Sequence, residues 1–147
     1  MKKLFVKLAC FSALLFSAST FAQMTPVGVW KNIDDNTGEA RSEIQIAEQG
    51  GILSAKVIKV LSNDPTAKKI CDDCKGDRKN QAIVGMEIMR GVKQENSENL
   101  WAGGGKILDP ENGKEYTVRL VPIEGGAKLR VRGYIGPFYR TQIWIRM

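Results

Sequence analysis

From Val27 to Arg146 the chain is a succession of short alternating runs, each stopped by a turn signal, and no segment has a helical period. The runs are 27–31, 41–48, 52–61, 83–92, 100–108, 115–122, 128–134 and 139–146. Between them stand Asp35-Asn36-Thr37-Gly38, Gln49-Gly50-Gly51, Asp109-Pro110-Glu111-Asn112-Gly113, Glu124-Gly125-Gly126 and Gly136-Pro137. These residues supply the backbone angles that hairpin connections need. Alternation of period two places one face of each strand on a core. Eight such strands joined mostly by tight turns predict an antiparallel meander. A meander leaves no exposed edge if it closes on itself, so the expected fold is all-β, an antiparallel up-and-down barrel of eight to ten strands. An eight-stranded barrel has an interior that side chains nearly fill or that holds one small ligand.

The first 22 residues stand apart. Lys2, Lys3 and Lys7 precede a mostly apolar stretch from Leu8 to Phe21, and Thr20-Phe21-Ala22 offers small residues where a signal peptidase reads. The expectation is a cleaved signal peptide over 1–22 and a single domain over 23–147, exported to a bacterial periplasm or beyond. A retained anchor would need about 20 apolar residues, and Lys7 interrupts this stretch. Cys10 lies too early for a lipoprotein site. Residues 23–147 carry 19 basic and 16 acidic side chains, a net charge of +3. That is too mild for a nucleic-acid-binding composition. The chain has no histidine, which excludes Ser-His-Asp catalysis and histidine-ligated zinc.

Cys71-Asp72-Asp73-Cys74 admits three readings. A disulfide suits an oxidising compartment. Redox chemistry needs a depressed thiol pKa, and the two intervening aspartates oppose it. A zinc site needs further ligands that the chain supplies only through Asp72, Asp73 or a second subunit. The disulfide is the expectation, with no metal and no cofactor. The cysteines lie in the one long connection, Ser62 to Ala82, which holds nine charged residues. Long connections in compact domains are often functional, and this one could cap a barrel mouth or dock a protein partner.

Gly28-Val29-Trp30 is the lipocalin-type G-x-W pattern. In such barrels the tryptophan closes one end and an arginine of the last strand lies on its ring. Arg146, and after it Arg140, is the expected partner. Arg119 to Met147 carries six basic residues against one acid, Glu124. A two-residue turn at Gly125-Gly126 sets Arg119 opposite Arg132 and Val121 opposite Arg130, with Tyr134 continuing that face. Like charges placed opposite one another destabilise a sheet unless something lies between them. Arg119, Arg130, Arg132 and Tyr134 are therefore candidate ligands for the acidic head of a small molecule; a solvated outer face is the alternative. Trp101-Ala102-Gly103-Gly104-Gly105 lacks the Lys-Ser/Thr of a phosphate loop and predicts a bend. The turn at Asp109 lacks the acid spacing of a calcium loop.

Three blocks carry a resemblance. They are Cys71-x-x-Cys74-Lys75-Gly76-Asp77 with Lys79-Asn80 and Ile83-x-Gly85; Gly104-Gly105-x-Ile107-Leu108-Asp109-Pro110-x-x-Gly113-Lys114-x-Tyr116; and Leu129-x-Val131-Arg132-Gly133-Tyr134-x-Gly136 with Arg140-x-Gln142-x-Trp144-x-Arg146. Together they resemble the secreted bacterial family called domain of unknown function 2147, over nearly all of residues 23–147. The resemblance implies a signal peptide and a small lipocalin-like β-barrel, and no established activity or cofactor. Ala82 departs from the proline of many members, and the C-x-x-C of only some members favours a loop staple. The expected function is a non-enzymatic periplasmic binding or envelope-maintenance module for a small anionic or amphipathic ligand. The rivals are a solid barrel that docks a protein through its long loop, and an enzyme using carboxylates such as Asp77, Glu87 or Asp109.

Overall fold

The computed structural model describes residues 24–96 and 99–147. The expected signal peptide lies outside them. Nine antiparallel strands follow the chain: β1 (Gly28–Ile33), β2 (Ala40–Gln49), β3 (Ile52–Val60), β4 (Glu87–Gln94), β5 (Trp101–Gly103), β6 (Lys106–Asp109), β7 (Lys114–Ile123), β8 (Lys128–Ile135) and β9 (Phe138–Arg146). Apart from β5 and β6, each strand pairs with its neighbours around a ring, and β1 pairs with β9 to close it. Both β5 and β6 lie between β4 and β7. They are two halves of one broken strand, so the barrel has eight positions. The break falls at the Gly103-Gly104-Gly105 run. A side chain at Gly105 would collide with Val92 across the wall, so the close approach of β4 requires glycine there.

Period two sorts the side chains. Trp30, Ile44, Ile46, Leu53, Val92, Val118, Leu120, Leu129 and Trp144 point inward and are buried. They belong to one continuous core. The predicted register at the β7–β8 turn is the observed one: Arg119 pairs with Arg132 and Val121 with Arg130.

One strand begins later than its apolar run suggests. Ile83 to Met86 precede β4, because Gly85 N–H donates to Val57 O and Met86 O accepts from Val57 N–H. These bonds clamp the segment into a turn against the bulged end of β3.

The connection between β3 and β4 contains a single 3-10 turn, Gly76–Arg78. It is fastened to the barrel rather than projecting from it. Ile70 bridges Ala82, Arg78 pairs with Glu115 of β7 and donates to Glu87 O, and Arg90 of β4 holds Asp77. Cys71 and Cys74 are joined by a disulfide, and both are buried. Thiol titration of the native protein should therefore find no free thiol from this pair until it is unfolded and reduced. Two reactive thiols in the folded protein would contradict the pairing. A ring this short removes little chain entropy, about 2 kcal/mol at most. Replacing both cysteines by alanine should loosen the loop and leave the barrel folded, as read by hydrogen exchange.

Candidate functional site

The two barrel ends differ in kind. At the closed end Trp30 is fully buried, and its indole N–H donates to Pro26 O at 2.7 Å. The Arg146 guanidinium lies 4.2 Å from the centre of its ring. That guanidinium also donates to Gly126 O, Val27 O and Thr25 O. It ties the segment before β1 to the β7–β8 turn. Burial pulls its pKa below the ordinary arginine value, and the carbonyl oxygens compensate for the lost water. Gly28 has φ +141°, and a side chain there would meet Arg146 Nη1 at 2.6 Å. Glycine is thus needed twice over, for its backbone angle and for the arginine above it. Arg140 takes no part: it pairs with Asp35 at the opposite end.

That opposite end is open. A cavity of about 340 Å³ runs into the barrel from it, at the lower end of the range for small-molecule sites. Its apolar lining comes from Ile44, Val57, Ile83, Ile88, Leu108, Val131 and Trp144. Polar groups join this wall at Asn32, Ser42, Tyr116 and Gln142. Gln142 Oε1 accepts from the Trp144 indole N–H at 3.1 Å. Asn32 Oδ1 is buried and accepts no hydrogen bond. A buried acceptor left unmatched costs about 1–3 kcal/mol, so such a group in a cavity wall marks a place where a donor is wanted.

Charged residues surround the mouth in pairs. Arg41 bonds Asp34 at 3.0 Å and also Glu111. Arg140 bonds Asp35 at 2.8 Å. Lys68, from the long loop, bonds Asp72 and Asp73 at 2.6 Å each. The loop contributes Ala67, Lys68 and Ile83 to the lining, so it forms one side of the mouth.

The backbone N–H groups of Thr37 and Asn36, helped by Arg41, hold the Asp34 carboxyl below the usual carboxylate range. A depressed folded pKa contributes stability that is present above the unfolded value, about 4, and is lost as pH falls through the folded value. Exchange protection of the Asn36 and Thr37 amides should hold at pH 5 and disappear on acidification well below pH 4. Protection of the strand amides beside Trp30 should survive the same titration. Simultaneous loss of both sets would mean that the Asp34 turn carries no separate acid sensitivity.

Arg119, Arg130, Arg132 and Tyr134 do come together, but on the outer wall. Their strand neighbours Val118, Leu120, Leu129 and Val131 occupy the interior, so alternation turns these four outward. They border an outer cleft with Asn99, Leu100 and Val121 and do not line the barrel cavity. The Arg119–Arg132 opposition is relieved by aromatic rings. Arg119 lies 5.5 Å from the Tyr134 ring centre and Arg132 lies 4.7 Å from that of Tyr139. Arg132 Nε also donates to Thr141 Oγ1 at 2.8 Å.

Of the three carboxylates considered for catalysis, two share one arginine and the third stands apart. Asp77 and Glu87 both bind Arg90; that bond lowers the Asp77 pKa. Asp109 caps its own turn by accepting from Glu111 N–H and the Asn112 amide. Among the described residues no group of three or more acids and cysteines is arranged to hold a metal ion.

An eight-position antiparallel barrel, plugged at one end by a tryptophan under an arginine and open at the other into a part-apolar cavity, is a lipocalin-like architecture. The sequence matches a family model described as "Uncharacterized protein conserved in bacteria (DUF2147)" over residues 28–146, and the chain belongs to that family. Among solved structures it is similar to one described as "Protein HP1028 from the human pathogen Helicobacter pylori belongs to the lipocalin family". The two share 18% identity and a TM-score of 0.67, with 82% of each chain covered. That likeness is one of fold. No curated protein shows significant sequence similarity to the chain.

Proposed function

We propose that the protein is an exported carrier or sensor that holds a small amphipathic molecule in the barrel. The observation that supports this is the cavity itself: about 340 Å³, with an apolar lining joined by polar groups and a charged rim. An apolar tail would lie against Ile44, Val57, Ile88, Leu108, Val131 and Trp144. A polar head would then sit at the mouth, within reach of Arg41, Lys68 and Arg140. A donor on the ligand near Asn32 would satisfy the buried carbonyl there. The rim cations already have carboxylate partners, so the head gains hydrogen bonds more than charge neutralisation. The reading places the protein in the periplasm, supported by the basic start and apolar stretch of residues 1–22 and by the Cys71–Cys74 bridge.

The test is a titration of the purified protein with a single-chain fluorescent fatty acid below its micelle concentration. Saturable binding of one molecule per chain, with energy transfer from Trp144, is expected. Binding that never saturates, or no binding across a panel of single-chain amphiphiles, would reject the proposal.

A further inference from the structure

The β8–β9 hairpin carries the most exposed large apolar side chains on this side of the mouth. Phe138 is 73% exposed, Tyr139 62% and Ile135 48%. Ile135 and Phe138 face each other across the Gly136-Pro137 turn and also line the cavity mouth. Single exposed apolar residues are common, but three grouped at one hairpin tip make the kind of contiguous patch that marks an interaction site. Directly behind them on the outer wall stand Tyr134 and Tyr139, whose ring centres are 5.8 Å apart. Behind those stand Arg132 and Arg119, then Arg130. Among the described residues no carboxylate pairs with any of these three arginines. Of the acids around the mouth, Asp34, Asp35 and Glu111 are matched by Arg41 and Arg140, and Asp109 accepts from Glu111 N–H and the Asn112 amide. The wall is thus layered from the tip as apolar, aromatic and cationic.

That order is the order of an anionic membrane surface met from the hydrocarbon outward. Strands rise about 3.3 Å per residue, so Arg132 lies roughly 10 Å behind Ile135. An interfacial segment buries its apolar part about 5–10 Å into the boundary between headgroups and acyl chains. With Phe138 and Ile135 at that depth, the tyrosines fall in the interfacial zone they favour. Arg132 and Arg119 then reach the lipid phosphates, and Arg130 stays within range of the surface potential. We propose that the β8–β9 hairpin and the adjoining β7–β9 wall dock the barrel on an anionic lipid bilayer, with the cavity mouth beside the membrane. Arg119, Arg130, Arg132 and Tyr134 lie outside the cavity, whereas Ile135, Phe138 and Tyr139 are shared with its mouth, so the arginine substitutions test docking without touching the cavity lining.

Flotation with phospholipid vesicles tests this, using the chain from Gln23 onward, which contains the whole barrel. Vesicles of phosphatidylglycerol and phosphatidylethanolamine should carry the protein, and phosphatidylcholine vesicles should not. Replacing both apolar tip residues, Ile135→Ser with Phe138→Ser, should abolish flotation. Arg119→Gln, Arg130→Gln and Arg132→Gln together should weaken it on the order of a hundredfold, roughly fivefold per arginine. Raising salt from 50 to 500 mM should release the unmodified protein, a readout free of any folding defect in the variants. No flotation, equal flotation on phosphatidylcholine, or indifference to the tip substitutions or to salt would overturn the proposal. So would equal competition by polyglutamate, which would show a wall that binds acidic chains rather than a bilayer. Fluorescent fatty acid binding in vesicle-free solution reports on the cavity separately.

Discussion

Replacing Trp30 by alanine is expected to remove about 3–5 kcal/mol of stability, the usual range for emptying a fully buried aromatic site. The reason is local and threefold. The indole fills the closed end at full burial. Its N–H satisfies Pro26 O. Its face carries the Arg146 guanidinium, whose other bonds join three separate backbone carbonyls. Without the ring, Arg146 keeps its charge in a half-buried place and loses its platform. A large fall in the urea midpoint with an unchanged slope would be the expected record. Arg146→Met retains much of the stem and removes the donors, so it should destabilise less than Trp30→Ala while freeing residues 25–27 to exchange. A loss of only a few tenths of a kcal/mol for Trp30→Ala would mean that the G-x-W element does not anchor the barrel.

The other large effect concerns the cavity. Ser42 shares the inward face of β2 with the buried Ile44 and Ile46 and lines the cavity. Its side chain is small and takes no part in the apolar core. Ser42→Trp would place an indole in the space where a ligand tail is expected. Binding of a single-chain fluorescent amphiphile should fall more than tenfold, about 1.4 kcal/mol or more. The thermal transition should stay level or rise, because filling a cavity commonly adds about 0.5–2 kcal/mol. Unchanged affinity in a folded Ser42→Trp protein would move the binding site out of the barrel. Arg119→Gln, Arg130→Gln and Arg132→Gln would then be the informative substitutions. Isothermal titration of the two variants side by side separates these outcomes.

Why some of this is legible from residues and some is not follows from what each feature depends on. Closure as a meander follows from alternation and turn chemistry, both local. The Arg119–Arg132 register follows from the Gly125-Gly126 turn alone, and the pairing agrees. Which side of that pairing faces inward is also written locally. Val118, Leu120, Leu129 and Val131 form a wholly apolar face, and the arginines share the opposite one. Comparing those two faces sends the arginines outside.

The cavity is different, because it is the volume left after eight strands have packed. Its one sequence trace is a change on the inward face toward the mouth, where Asn32, Ser42, Gly133 and Gln142 replace large aliphatic residues. The start of β4 was obscured for a related reason. Ile83 is apolar and buried like a strand residue, but it is held by a loop that the disulfide and the Val57 bonds fold back on the barrel. Tertiary contact overrides the local pattern there.

The central claim is that this barrel carries a small amphipathic molecule in its open end. Native mass spectrometry of the protein purified without detergent from its own host tests it most directly. The account predicts a stoichiometric adduct of one small organic molecule that dissociates on unfolding and is missing from the Ser42→Trp protein prepared in the same way. A spectrum showing only the bare chain, with the Ser42→Trp and unmodified proteins indistinguishable, would contradict it.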